Sequence, residues 1–203
     1  ASMRTLGELY ETDINYYARL NFTSLIDIVD TLGGVDVYSE LAFQTGTESG
    51  CIVDVQEGWN HLNGEQALAF SRERHALADG DNQRGKNQQA VLTAMLRKGL
   101  SPTMLLKAGT IMNQVSSEVE TNLSQAQINS LIKYQLNKNA TWTIQSVAAT
   151  GTNDKGYCYS SGDTPLFIMD PDEDVVQEII DLANVVEEGG CLLYTSPSPR
   201  DIS

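Results

Sequence analysis

Four basic side chains, Arg72, Arg74, Arg84 and Lys86, fall within fifteen residues of a chain that elsewhere carries far more acid than base. Arg72 and Arg74 are two apart, so they share a side only where the backbone is extended; a helix would turn them about 200° from each other. Asp81, Arg84 and Gln88 stand at i, i+3 and i+7, one face of a helix beginning near Asp81. A carboxylate, a guanidinium and an amide then point the same way. Guanidinium groups grip phosphate in a bidentate fork and stay charged at physiological pH, so a cluster of three suits a diphosphate better than a single carboxylate. At about 1.5–3 kcal/mol for each charge-assisted hydrogen bond, several such bonds could anchor a phosphorylated ligand. The same residues also fit a solvated charged face in which Glu73, Asp79 and Asp81 neutralise the arginines, because surface ion pairs are common and weak.

Three segments must position these groups. Asn63 is suited to cap a helix running to about Ser71, with Leu68 and Phe70 directed to the core, and the RxR pair follows its end. A second helix, from about Asp81 to Lys98, buries Val91, Leu92, Met95 and Leu96 and carries the Asp81, Arg84, Gln88 row on its polar face; Gly99 and Pro102 end it. Upstream, Phe22, Leu25, Ile26, Val29 and Leu32 recur at three and four, an amphipathic helix capped by Asn21 or Thr23 and stopped by Gly33 and Gly34.

Arg4 to Tyr10 closes a helix, and Ile14 to Phe22, Val35 to Tyr38, Thr141 to Ala149 and Leu166 to Met169 read as strands. Residues 41–60 are turn-rich, a loop or irregular hairpin. Helices are expected over 103–117, over 124–137 with Ser124 and Gln127 as a capping box, and from Asp172 to about Glu187. Strands interleaved with helices predict an α/β sandwich with helices on both faces of a sheet, and 203 residues with 41% hydrophobic content suit one domain over residues 1–190.

The formal net charge of −14, from 27 acidic and 13 basic residues, argues against nucleic acid as a partner. Residues 151–190 hold ten Asp or Glu and one cation, Lys155, so the basic site is local. There is no Walker loop, GxSxG, HExxH or paired CxxC, and two histidines, His61 and His75, are too few for a zinc centre. No run approaches the roughly 20 apolar residues of a spanning helix. The last thirteen residues, CLLYTSPSPRDIS, follow Gly189 and Gly190 and break with what precedes; they resemble translated sequencing-adapter read-through and are set aside, a natural Ser/Pro-rich tail being the alternative.

The run LNGEQALAFSRERHALADGDNQRGKNQQAVL resembles the signature of the LytR-CpsA-Psr family: an AL, aromatic, x, RxR segment, then D-x-x-R and a Gln four residues after that Arg. The block INYYARLNFTSLIDIVDTLGGVDVYS is similar to the same family's strand, helix and GGV turn, in the same order. The resemblance covers about residues 5–185. It implies a three-layer αβα sandwich with a mixed central sheet, truncated at its N-terminus, because family members carry a membrane anchor and an earlier part of the domain ahead of the NYY strand.

It also implies a magnesium-assisted transferase on the outer face of the bacterial cell membrane, moving a glycopolymer such as wall teichoic acid or capsular polysaccharide from a polyprenyl diphosphate carrier onto peptidoglycan. Arg72, Arg74, Arg84 and Gln88 match the diphosphate-binding positions, and Asp81 matches the Asp of D-x-x-R, where an i, i+3 pair would orient Arg84, general base being the alternative role; Arg72, Arg74, Asp81 and Arg84 are the implied catalytic set. Metal ligands and a candidate base are expected upstream of Ala1. Asn87 departs from the pattern, since many members have Arg before the Gln, leaving Lys86 as a substitute charge. In an exported protein Cys51 and Cys158 are expected as a disulfide, or as two unpaired thiols. A lipid-diphosphate binding module without turnover and a transcriptional attenuator are the competing readings; the lack of a basic helix counts against direct DNA contact.

Overall fold

The computed structural model describes residues 2–74, 80–115, 119–138, 142–144, 146–157 and 162–189, and within these the side chains of 80–82 and 112–115 are left aside. The chain divides into two compact units, one of residues 16–146 and one of residues 1–15 with 147–203.

The larger unit contains the basic cluster. It opens with β1 (Ala18–Leu20) and α2 (Phe22–Thr31), numbered after a first helix α1 (Ser2–Leu9) that belongs to the smaller unit. Asn21 caps α2 in a reciprocal box: its side chain accepts from Ser24 N at 2.8 Å, and the Ser24 hydroxyl accepts from Asn21 N at 3.4 Å. Gly33 and Gly34 both take positive φ, +74° and +81°, and a Cβ on Gly34 would stand 2.6 Å from His61 Nε2. This turn returns the chain into β2 (Val35–Ser39).

The turn-rich segment is a ladder of short pieces. After β3 (Phe43–Gln44) come a 3₁₀ turn (Thr47–Ser49), β4 (Asp54–Val55) and β5 (Gly58–Leu62). β2 pairs antiparallel with β5, Val35 opposite Leu62, and β3 pairs with β4. Thr45, buried, closes the intervening loop: its hydroxyl donates to Cys51 O at 2.7 Å and accepts from Val53 N at 2.9 Å.

α3 (Gly64–Arg72) starts on a second reciprocal box, Asn63 with Gln66. Gly64 lets it lie close on α2, since a Cβ there would meet Ile26 O at 2.5 Å, and Gly64 N donates to Asp30 Oδ1 at 2.7 Å. α4 (Gly80–Gly99) packs on α3 and β2. Val29, Val35, Val37, Val55, Phe70 and Val91 form the centre of the core, with Phe43 stacked on Phe70 at 5.7 Å. Burial of such side chains supplies most of the favourable free energy, about 1.5–3 kcal/mol each.

The unit continues with α5 (Pro102–Leu106), α6 (Ala108–Val115), β6 (Val119–Thr121) and α7 (Gln125–Lys138). The helix expected over 103–117 is therefore two, broken at Lys107, while the Ser124 and Gln127 capping box is present. β1 pairs with β6, a ladder of three residues in place of the longer strand expected from Ile14 to Phe22.

In the smaller unit β7 (Gly151–Gly156) pairs antiparallel with β8 (Leu166–Pro171), and α8 (Glu173–Glu187) follows, with Asp172 at its N-cap position. The strand expected over 141–149 is not formed by residues 142–144 and 146–149; 141 and 145 lie outside the described residues. The partner of Leu166–Pro171 is instead the polar run GTNDKG. The α/β class holds, but the described strands make four two-stranded antiparallel ladders rather than one mixed sheet, because each is only two to six residues long and hydrogen-bonds to a single neighbour.

Candidate functional site

The two halves of the basic cluster meet. A cavity of about 510 Å³ is lined by Arg72, Arg74, Arg84 and Gln88. Leu20, Phe22, Leu25, Leu68, Val91, Leu92 and Met95 line it as well.

α3 delivers the RxR pair. Arg72 is its last residue, one further than expected, and Glu73 leaves the helix with φ −61° and ψ 131°. That change from helical to extended backbone is what lets residues two apart share a cavity. The Arg72 guanidinium lies over the Phe22 ring, 4.9 Å from its centroid, a cation–π contact worth about 0.5–1 kcal/mol at an exposed site. Phe22, expected on the buried face of its helix, is 60% exposed and serves the cavity instead.

α4 delivers the rest. Arg84, Gln88, Val91, Leu92 and Met95 fall at i, i+4, i+7, i+8 and i+11, a single stripe of the helix within about 100° of arc. Charge and grease are thus continuous along one helix face rather than on opposite faces. Leu92 and Leu96, expected as core, are 51% and 44% exposed; Val91, Ala94 and Met95 are the buried positions. Leu92 is exposed because it walls the cavity. Asp81 lies in the first turn of α4, in register with Arg84 and Gln88, and its side chain is outside the described residues.

Two neighbours have other roles than expected. Lys86 is exposed and does not line the cavity, so it is no substitute charge there. Asn87 is buried at 3% exposure and turned toward α3: its Nδ2 donates to Phe70 O at 3.1 Å, and its Oδ1 accepts from Gln83 Nε2 at 3.1 Å. Phe70 O sits in the last turn of α3, where carbonyls lose their helical partners. The amide that would have met it, Arg74 N, turns to the Glu73 carboxylate instead. Asn87 supplies the missing donor and so fastens the two helices beside the site.

Glu73 is the residue that sequence reasoning misplaced. Expected as a surface counter-charge, it is 1% exposed. Its Oε2 accepts from Gly46 N at 2.7 Å and Ser49 Oγ at 3.0 Å, and its Oε1 from Arg74 N at 3.0 Å. The signal that could have found it was the alternation itself: if Arg72 and Arg74 face one way in extended chain, the residue between them faces the other.

Among the described residues, no group of three or more His, Cys, Asp or Glu side chains is placed to hold a metal ion. Cys51 is a free thiol; burial, then the nearby Glu65 carboxylate, push its pKa up. Its expected partner Cys158 lies outside the described residues, as do His75, Asp79 and the tail from 191.

In this α/β protein one cavity thus brings guanidinium groups together with apolar side chains. The chain belongs to the LytR_cpsA_psr family, whose model matches residues 1–168. It is 36% identical over 127 residues to the polyisoprenyl-teichoic acid–peptidoglycan teichoic acid transferase TagU of Bacillus mycoides (strain KBAB4), a match covering 63% of this chain and 40% of that relative. The matched segment therefore spans 40% of the length of that curated relative. Its fold is similar to that of B. subtilis TagV, with a TM-score of 0.70 and 23% identity over 94% of this chain and 70% of that one. It is also similar to TagT bound to LIIa-WTA, with a TM-score of 0.64 and 25% identity over 89% of this chain and 64% of that one.

Proposed function

We propose that this chain is the diphosphate-gripping part of a glycopolymer transferase, one that moves a wall teichoic acid or capsular type of polymer from a polyprenyl diphosphate carrier to peptidoglycan at the extracytoplasmic face of a bacterial membrane. The observation that carries the reading is the convergence of Arg72, Arg74, Arg84 and Gln88 on one cavity that apolar side chains also line. The name of its TagU relative and the family membership support it.

In such a site the arginines bind the two phosphates and offset the charge that builds on the bridging and leaving oxygens as the phosphoryl group passes to a sugar hydroxyl. Positioning and electrostatics supply most of the acceleration in phosphoryl transfer. Gln88 adds an amide donor in the same row. The apolar stripe formed by Val91, Leu92 and Met95 with Phe22 holds the first isoprene units and keeps the diphosphate from turning over. Magnesium belongs to the same proposal; the described residues offer no ligand set for it, so no step here runs through it. Membrane attachment is likewise proposed, and no described helix is long and apolar enough to cross a membrane.

The test supplies the full-length protein with a polyprenyl diphosphate-linked glycan, peptidoglycan and magnesium, and scores covalent attachment. Arg84→Ala and Arg74→Ala are each expected to lower transfer at least a hundredfold, about 2.7 kcal/mol of lost transition-state stabilisation. Transfer at the parental rate in both variants refutes the reading, and carrier binding without any transfer would favour a binding module.

A further inference from the structure

We propose that Glu73 is the positioning residue of the arginine site: a buried carboxylate that locks the RxR pair and the loop over residues 46–49 into one rigid wall before any ligand arrives. The inference rests on the cavity being an anion site, and adds to it a residue that touches no ligand.

A carboxylate that is 1% exposed would be costly to bury unless its oxygens were satisfied. Here one oxygen holds the far loop twice, through Gly46 N at 2.7 Å and Ser49 Oγ at 3.0 Å, and the other holds Arg74 N at 3.0 Å. Each of these is a charge-assisted bond, the strong class. Ser49 and Arg74, two of these partners, line the cavity. So does Glu48, which lies between Gly46 and Ser49 and is the one carboxylate among the described residues lining it.

Sequence spacing explains why this residue can do what no neighbour can. Its position between two arginines in a chain leaving a helix sends its side chain inward as theirs go to the cavity. The loop it grips has no long ladder to stabilise it: β3 and β4 are two residues each, and Thr45 ties only the loop's own ends. Without the carboxylate, the backbone at Arg74 would lose this tether and Ser49 would drift with its loop. Binding a diphosphate would then require ordering both, a cost that preorganisation removes.

The experiment measures binding of farnesyl diphosphate by calorimetry at several salt concentrations, with a thermal melt of each variant. Glu73→Gln keeps the side-chain volume but offers one acceptor oxygen where two are used, so it is expected to weaken binding about tenfold, a 1.4 kcal/mol loss, with a cooperative melt. Its affinity should also depend less on salt than that of the parent, because fewer guanidinium groups engage the phosphates at once. Loss of stability alone would leave that slope unchanged. Affinity and salt slope both within twofold of the parent, while Arg84→Ala loses binding, overturn the role of Glu73. If Arg84→Ala binds as the parent does, the anion site itself fails. Should Glu73→Gln lose its cooperative melt, Ser49→Ala carries the test, with an expected threefold weakening; unchanged affinity there overturns the proposal.

Discussion

Asn87 fastens the helix carrying Arg84 to the helix carrying Arg72, and a single change of its donor group makes the fastening measurable. Its Nδ2 is the donor to Phe70 O, at 3.1 Å, from a position 3% exposed. In Asn87→Ala that carbonyl is left without this donor in the interior, which costs about 1–3 kcal/mol. For a compact unit the size of residues 16–146, a central value of about 2 kcal/mol lowers the melting temperature by roughly 6–10 °C. Asn87→Asp keeps the shape and removes the donor, and adds a charge facing a carbonyl oxygen, so about 3–5 kcal/mol is expected at neutral pH. Burial disfavours that charge, which raises the introduced carboxyl's folded pKa above its unfolded value of about 3.9. Below the unfolded value both states are protonated and the charge penalty is absent; it grows as pH rises toward the folded pKa. The protonated group can also donate to Phe70 O. Melts of parent and variants from pH 4 to pH 8 should therefore show the Asn87→Asp deficit shrinking in acid and the Asn87→Ala deficit nearly constant. A pH-independent Asp deficit, or an Ala variant as stable as the parent, refutes the assignment of Asn87 as the fastener.

Two further outcomes follow from local geometry. Asn63→Ala removes the acceptor for Gln66 N, at 3.0 Å, and should lower the urea midpoint by about 1 kcal/mol of stability with an unchanged m-value. Cys51, its thiol pKa pushed up by burial and then by Glu65, should be alkylated by iodoacetamide at pH 8 more slowly than a peptide thiol, and Glu65→Gln should speed it modestly; peptide mapping by mass spectrometry reads both, and a peptide-like rate in the parent would contradict the burial.

What was legible in the sequence was what a few adjacent residues decide among themselves. Asn21, Asn63 and Ser124 cap helices because a side chain reaching three residues ahead needs no distant partner. The RxR pair and the Arg84, Gln88 row converge as their spacing requires, since helix phase is a local property. Strands were harder because a partner far along the chain makes them. Residues 142–144 and 146–149 have apolar content and no strand, while Gly151–Gly156 has neither alternation nor bulk and is one, held by Leu166–Pro171. Glu73 and Asn87 were misjudged for a related reason: a charged or polar letter in a charged stretch reads as solvent-facing unless the buried groups it must satisfy are known.

Two hydrogen bonds at the other end of α4 bear on the site as well. Lys98 Nζ donates to Gly33 O at 3.0 Å and Gly34 O at 2.6 Å, about 21 Å along the axis from Arg84. With Asn87 tied to Phe70 near the start, the helix is pinned twice and cannot slide or spin as a piston would. One residue inserted between the pins would swing its leading end by about 100° and carry Arg84 away from the cavity while the whole helix stayed intact. The distance from glycine turn to guanidinium thus behaves as a ruler, and the number of residues along it matters to the chemistry as much as which residues they are.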